Sequence, residues 1–168
     1  MKEQTAPIKN LLPSLDIDIT FQTKHWDECD FDVTASIETA ICRALHAIGF
    51  KRNGAEVSVV LADNNFVQDL NKNYRDKDKP TNVLSFPQDE EMLLGDIIVA
   101  YETVADECIT QEKSFHDHFM HLITHGTLHL MGYDHIKDNE AEEMEALEIK
   151  ILGELGIKNP YEKIDFMS

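Results

Sequence analysis

No stretch of this chain is long and apolar enough to cross a membrane. Its first ten residues, Met1 to Asn10, are polar and lack the charged-then-apolar layout of a secretory signal, so the sequence reads as cytoplasmic. Cysteine is scarce: Cys29, Cys42 and Cys108 are scattered, odd in number and form no C-x-x-C pair. That argues against a disulfide framework or a cysteine zinc site and leaves buried, reduced thiols as the expectation. Internal repeats, low-complexity runs and Gly/Ser linkers are absent too. The 168 residues suit one domain spanning 1–168, with 1–12 as a loose tail.

Positive charge is in deficit. Fifteen basic residues face 32 acidic ones, for a net charge of −17. The total argues against nucleic acid as a partner, because affinity for phosphates comes largely from lysine and arginine. The distribution qualifies it. Lys72, Arg75, Lys77 and Lys79 fall within residues 71–80, opposed only by Asp76 and Asp78, whereas Asp138 to Glu148 is strongly acidic. An acidic body can carry one local basic patch.

What is present alternates between two periods. Leu15 to Phe21 and Glu56 to Ala62 read as strands, as do the shorter Val83 to Phe86, ended by Pro87, and Leu93 to Ala100. Helical spacing runs from Val33 to Ile48 with Gly49 as its stop, and again after a cap at Asp63 or Asn64. Further helices are expected over Glu102 to Ile109, Ser114 to Met131 and Asn139 to Leu155. In the last, Met144, Leu147, Ile151 and Leu155 form the apolar stripe. The expected fold is α+β: one mixed sheet of about four strands packed with helices. Strand order is not legible at this level.

The chemistry concentrates in His121-Leu-Ile-Thr-His125-Gly-Thr-Leu-His129-Leu-Met-Gly132-Tyr-Asp-His135. On a helix His125 and His129 share a face, about 6 Å apart along the axis, which suits two imidazoles at one zinc ion. Were the helix to continue, His135 would point away. Gly132 stands where a left-handed residue would end it and turn the chain back. Three histidine ligands leave a fourth position open, as in catalytic zinc sites. Metzincin proteases use H-E-x-x-H-x-x-G-x-x-H, and here the glutamate position is Gly126. Loss of that general base argues against ordinary peptide hydrolysis.

The run His125-Gly-x-Leu-His-Leu-x-Gly-Tyr-Asp-His135 resembles the signature of the YbeY family of bacterial endoribonucleases, or rRNA maturation factors. A second block agrees: Asn71, Tyr74, Arg75, Lys77, Asp78 and Pro80 to Pro87 follow the family's N-x-x-Y-R-x-K-D-x-P-T-[ND]-V-L-S-F-P pattern. Leu94-Gly95-Asp96-Ile97 is similar to its L-G-D-I strand. The likeness covers roughly residues 55 to 155. It implies a metalloprotease-like α+β fold and a zinc-dependent, single-strand-specific endoribonuclease. The implied role is in maturation of the 16S rRNA 3′ end and in ribosome quality control, with rRNA and the small ribosomal subunit as partners. By position it implies one zinc ion on His125, His129 and His135, and a functionally important arginine at Arg75.

Each role has a plainer counterpart. Arg75 offers a rigid fork of donors for phosphate, or it is a surface arginine paired with Asp76 or Asp78. Lys72, Lys77 and Lys79 steer RNA or are simply solvated. His121, one turn before His125, is a candidate catalytic proton carrier or a packed, hydrogen-bonded histidine. Asp134 orients a ligand imidazole or shapes a turn. Phe115, Phe119, Leu122 and Ile123 are core. Two other functions stay open: a zinc peptidase-like hydrolase, and a non-catalytic ribosome-biogenesis factor whose metal site is structural.

Overall fold

The computed structural model describes residues 15–51, 54–75, 81–88, 93–133 and 138–162; of residues 74 and 75 it describes the backbone alone. Among the described residues four strands form: β1 (Asp16–Phe21), β2 (Glu56–Ala62), β3 (Val83–Pro87) and β4 (Leu93–Ala100). The same residues hold five α-helices: α1 (Val33–Ala47), α2 (Asn64–Arg75), α3 (Tyr101–Gln111), α4 (Phe115–Leu130) and α5 (Asp138–Glu154). The caps explain the starts. Asp32 accepts from Ala35 N at 3.0 Å, Asp63 from Phe66 N at 2.9 Å and Ser114 from Asp117 N at 3.0 Å. A short 3-10 helix, Lys24–Glu28, has no apolar period and was not expected. It serves to bury Trp26, whose indole N–H donates to Ala62 O at 3.2 Å. The Trp26 ring also packs on Tyr101, Phe115 and Phe119.

The sheet order is β1-β2-β4-β3. β1, β2 and β4 run parallel, and β3 pairs antiparallel to β4 with Leu84 opposite Ile98 and Phe86 opposite Asp96. Alternation sorts the side chains to two faces. Val57, Val59 and Leu61 join Ile37, Ile41 and Leu45 of α1 and Phe119, Leu122 and Ile123 of α4 in the main core. On the other face Ala62, Leu84, Ile98 and Ala100 meet Val67 of α2. Helix α5 lies outside α1 and α4, closing over Leu128 and Ala44 with Met144 and Ile151. Each such side chain fully buried contributes about 1.5–3 kcal/mol, so α4, packed on the sheet and on other helices, is the most firmly held helix.

The α+β expectation with four strands holds. One stripe differs: on α5 the buried residues are Met144, Glu148, Ile151 and Leu152, while Leu147 and Leu155 are half-buried. All three cysteines are free, and burial foremost pushes each thiol up to about 11. No helix among the described residues is long and apolar enough to cross a membrane.

Candidate metal centre

Helix α4 carries His121, His125 and His129 along one ridge. Ring centroids are 6.3 Å apart for the first pair and 6.2 Å for the second. The rings of His125 and His129 lie within 20° of parallel. Gly126 faces the sheet instead. A Cβ there would stand 3.1 Å from Ile97 Cγ2 and 3.2 Å from Ser85 Oγ. The glycine that replaces a protease's glutamate is therefore a packing device: it lets α4 lie close on β3 and β4.

The end of α4 sets His129. Gly132, at φ +97°, donates to His129 O at 3.1 Å, and Tyr133 N donates to Leu128 O at 3.1 Å. These are the paired bonds of a Schellman turn. The turn aims the Tyr133 carbonyl back at His129, whose Nδ1 lies 2.9 Å from it. A carbonyl only accepts, so Nδ1 carries the proton, and the nitrogen of that ring able to ligate a metal is Nε2. Gly132 thus ends the helix as its position foretold, and it also fixes a tautomer.

His125 is set from another direction. Glu148, reaching from α5, is fully buried, and its Oε2 lies 2.6 Å from His125 Nδ1. The other oxygen lies 3.1 Å from His121 Nε2 and accepts from the Tyr161 hydroxyl. Burial pushes the Glu148 carboxyl up. The hydrogen bonds and charges of His121 and His125 more than reverse this and hold it at about 2. An ionised carboxylate accepts from Nδ1–H, which again leaves Nε2 of His125 for a metal. Burial also pulls His118 down, against the pull of Glu107, whose Oε1 accepts from His118 Nε2 at 2.8 Å and Asn82 Nδ2 at 3.0 Å. His118 is thereby a packed, hydrogen-bonded histidine.

Among the described residues one trio has donor atoms close enough for a metal ion: His121, His125 and Glu148, all within 4.8 Å of one another. Its shortest pair argues for a proton rather than an ion between the atoms. Two donors on one tetrahedral zinc, with bonds of about 2.1 Å, stand roughly 3.4 Å apart. The 2.6 Å between His125 and Glu148 is a charge-assisted hydrogen bond. The donor set fits a metal better as two Nε2 atoms on the α4 ridge, backed by Glu148 and the Tyr133 carbonyl.

Of the other residues expected at the site, Arg75 is the last residue of α2 and its side chain lies outside the described residues. So do Lys77, Lys79, Asp134 and His135. Lys72 is exposed on α2. Sequence reasoning missed Glu148 and Tyr161. A signal existed for the first: Glu148 follows Met144 by four residues and precedes Ile151 and Leu152 by three and four, so it sits in the apolar stripe of an otherwise water-facing acidic helix. Tyr161 lies beyond the last helix, where no periodicity speaks.

Fold and site together define a class, the metalloprotease-like α+β proteins, with a histidine pair on the helix packed beneath the sheet. The comparisons narrow it. The family model described as Endoribonuclease YbeY matches residues 18–156. The endoribonuclease YbeY of Paramagnetospirillum magneticum is 45% identical over 158 residues, covering 88% of this chain and 96% of that protein. That of Parvibaculum lavamentivorans is 40% identical, covering 95% and 92%. The solution structure of TM1509 from Thermotoga maritima superposes with a TM-score of 0.56 at 25% identity, covering 90% of this chain and 99% of that one. The chain belongs to the endoribonuclease YbeY family.

Proposed function

We propose that this chain is a metal-dependent endoribonuclease that cuts single-stranded RNA in the cytoplasm during rRNA maturation at the small ribosomal subunit, including the 16S 3′ end and ribosome quality control. One zinc ion would be held by Nε2 of His125 and His129 together with His135. The observation that carries the metal reading is the matched second contact of the two rings: Glu148 fixes one Nδ1 and the Tyr133 carbonyl fixes the other. A zinc ion in that place supplies Lewis acidity to a phosphoryl oxygen or a water. Family membership supports RNA as the substrate, and Gly126 removes the side chain a peptidase would use. Arg75 is assigned to a non-bridging phosphate oxygen, and Lys72, Lys77 and Lys79 to steering the strand. His121, a candidate proton carrier, has Nε2 engaged with Glu148 and Tyr161, which supports a role in holding that carboxylate.

The net charge of −17 favours one competing reading, a ribosome-associated factor that binds through other proteins and cuts nothing. Cleavage of single-stranded RNA by purified chain, with zinc restored after chelation, separates the two. Wild type should cut, and His125→Ala should lose at least about 100-fold in rate. Intact RNA in both samples, beside retained ribosome association, would establish the binding factor instead.

A further inference from the structure

Beside His125 a cavity of about 310 Å³ opens between the start of β3, the α3–α4 turn and the Pro160–Tyr161 segment. Its walls are unlike the rest of this acidic molecule. In a chain with 32 Asp and Glu, none of the ten described lining residues is acidic. Val83, Leu122, Pro160 and the half-exposed ring of Tyr161 supply apolar surface; Asn82 and Lys113 supply polar atoms. Two carboxylates behind this lining, Glu107 and Glu148, are already engaged, the first by Asn82 and His118 and the second by His121, His125 and Tyr161, while Glu145 of α5 lies near Tyr161 outside the lining. The Tyr161 ring stands nearly perpendicular to His121 at 5.3 Å. Lys113 Nζ donates to Pro160 O at 3.0 Å, which ties the C-terminal segment to the α3–α4 turn and keeps the cavity framed.

Such a lining suits a flat, aromatic, anionic ligand. We infer that the cavity is the subsite for the nucleotide next to the scissile phosphate, with Tyr161 stacking on its base and Lys113 and Asn82 taking its polar edge and phosphate. The assignment rests on the RNA reading above and adds to it. A space at the low end of ligand-pocket sizes admits one unpaired nucleotide and excludes a base still held in a duplex, which gives single-strand preference a physical source. Base–aromatic stacking of this kind tolerates any base, so sequence preference at this position should be weak.

The test is a cycle between protein and ligand. Zinc-loaded full-length chain is titrated with a 2′-O-methyl pentanucleotide, whose bonds resist cleavage, and with versions carrying one abasic position in turn. For wild type, one abasic position should weaken binding about ten-fold. Tyr161→Ala should weaken the intact oligomer by a similar factor and then ignore that abasic position. Tyr161→Phe, which keeps the ring and loses only the hydroxyl, should bind within about two-fold of wild type. Lys113→Gln, which removes the ammonium and makes no direct contact with Glu148, should lose several-fold in affinity. The proposal is overturned if wild type binds no oligomer, if the abasic penalty persists in Tyr161→Ala, or if Lys113→Gln binds as wild type. The expected binding pattern in a chain that cuts no RNA would overturn the nuclease reading and the placement beside a scissile phosphate, and leave a nucleotide-binding cavity only.

Discussion

Helix α4 has two faces that obey different rules. Toward the sheet it is set by close packing: Gly126 sits where any side chain would press on Ile97 and Ser85, and Ile123 and Phe119 are fully buried. Toward α5 it carries three histidines whose ring nitrogens are met by a carboxylate, a carbonyl and a hydroxyl. One face fixes where the helix lies, and the other fixes which nitrogens carry protons. A metal site needs both, because a ligand must be placed and also held in the right tautomer. The sheet-facing side is tuned by volume and the histidine side by hydrogen bonding, so the two should fail differently when altered.

The largest expected effect is on the sheet face. Gly126→Glu restores the protease-like motif but drives a carboxylate into Ile97 and Ser85. It should destabilise the fold by about 3 kcal/mol or more and yield no peptidase activity. Thermal unfolding checks this; a normal melting temperature would break the claim that this position is closed. On the histidine face, Glu148→Gln should fold but with lower stability at neutral pH, and should weaken zinc binding about 10–100-fold in competition with a chelating dye.

The same variant has a pH signature in metal-free protein. The Glu148 carboxyl is held at about 2 against an ordinary 4.5. A carboxyl depressed on folding stabilises above its unfolded value, and that contribution is lost as pH falls from 4.5 towards 2. Wild type should therefore lose stability over this window more steeply than Glu148→Gln, as read by denaturant midpoints. The smallest effect comes from two helix ends with the same turn. At α3, Glu112 holds the left-handed position (φ 55°), and at α4 Gly132 does. Glu112→Gly should gain about 0.5–1 kcal/mol with zinc affinity unchanged, whereas Gly132→Ala should lose about 1 kcal/mol and also weaken zinc, through the Tyr133 carbonyl. Equal zinc affinity in both would detach the turn from the site.

What the sequence made legible follows the same division. Among the described residues periodicity placed the four strands and four of the five helices to within a residue or two, and the start but not the end of α2, because alternation and the 3.6-residue repeat are imposed by one-sided burial. It also placed His125, His129 and Gly132, whose spacing is local. It could not order the strands, since β2 pairs with β4 across the intervening α2 and β3. Nor did it find Glu148 or Tyr161, which reach the histidines from 23 or more residues away through tertiary packing. Trp26 escaped for a different reason: a single buried ring on a short 3-10 helix leaves no period to read.

The central claim is that His125 and His129 both keep their proton on Nδ1 and offer Nε2 to one metal ion. Long-range proton–nitrogen NMR of zinc-loaded, histidine-labelled full-length chain reads this directly. The account predicts one zinc per chain, with Nδ1–H on both rings and Nε2 shifted by the metal. Zinc on Nδ1 of His125 would contradict it and move the ion to His121 and Glu148, and a chain that retains no zinc would contradict it altogether.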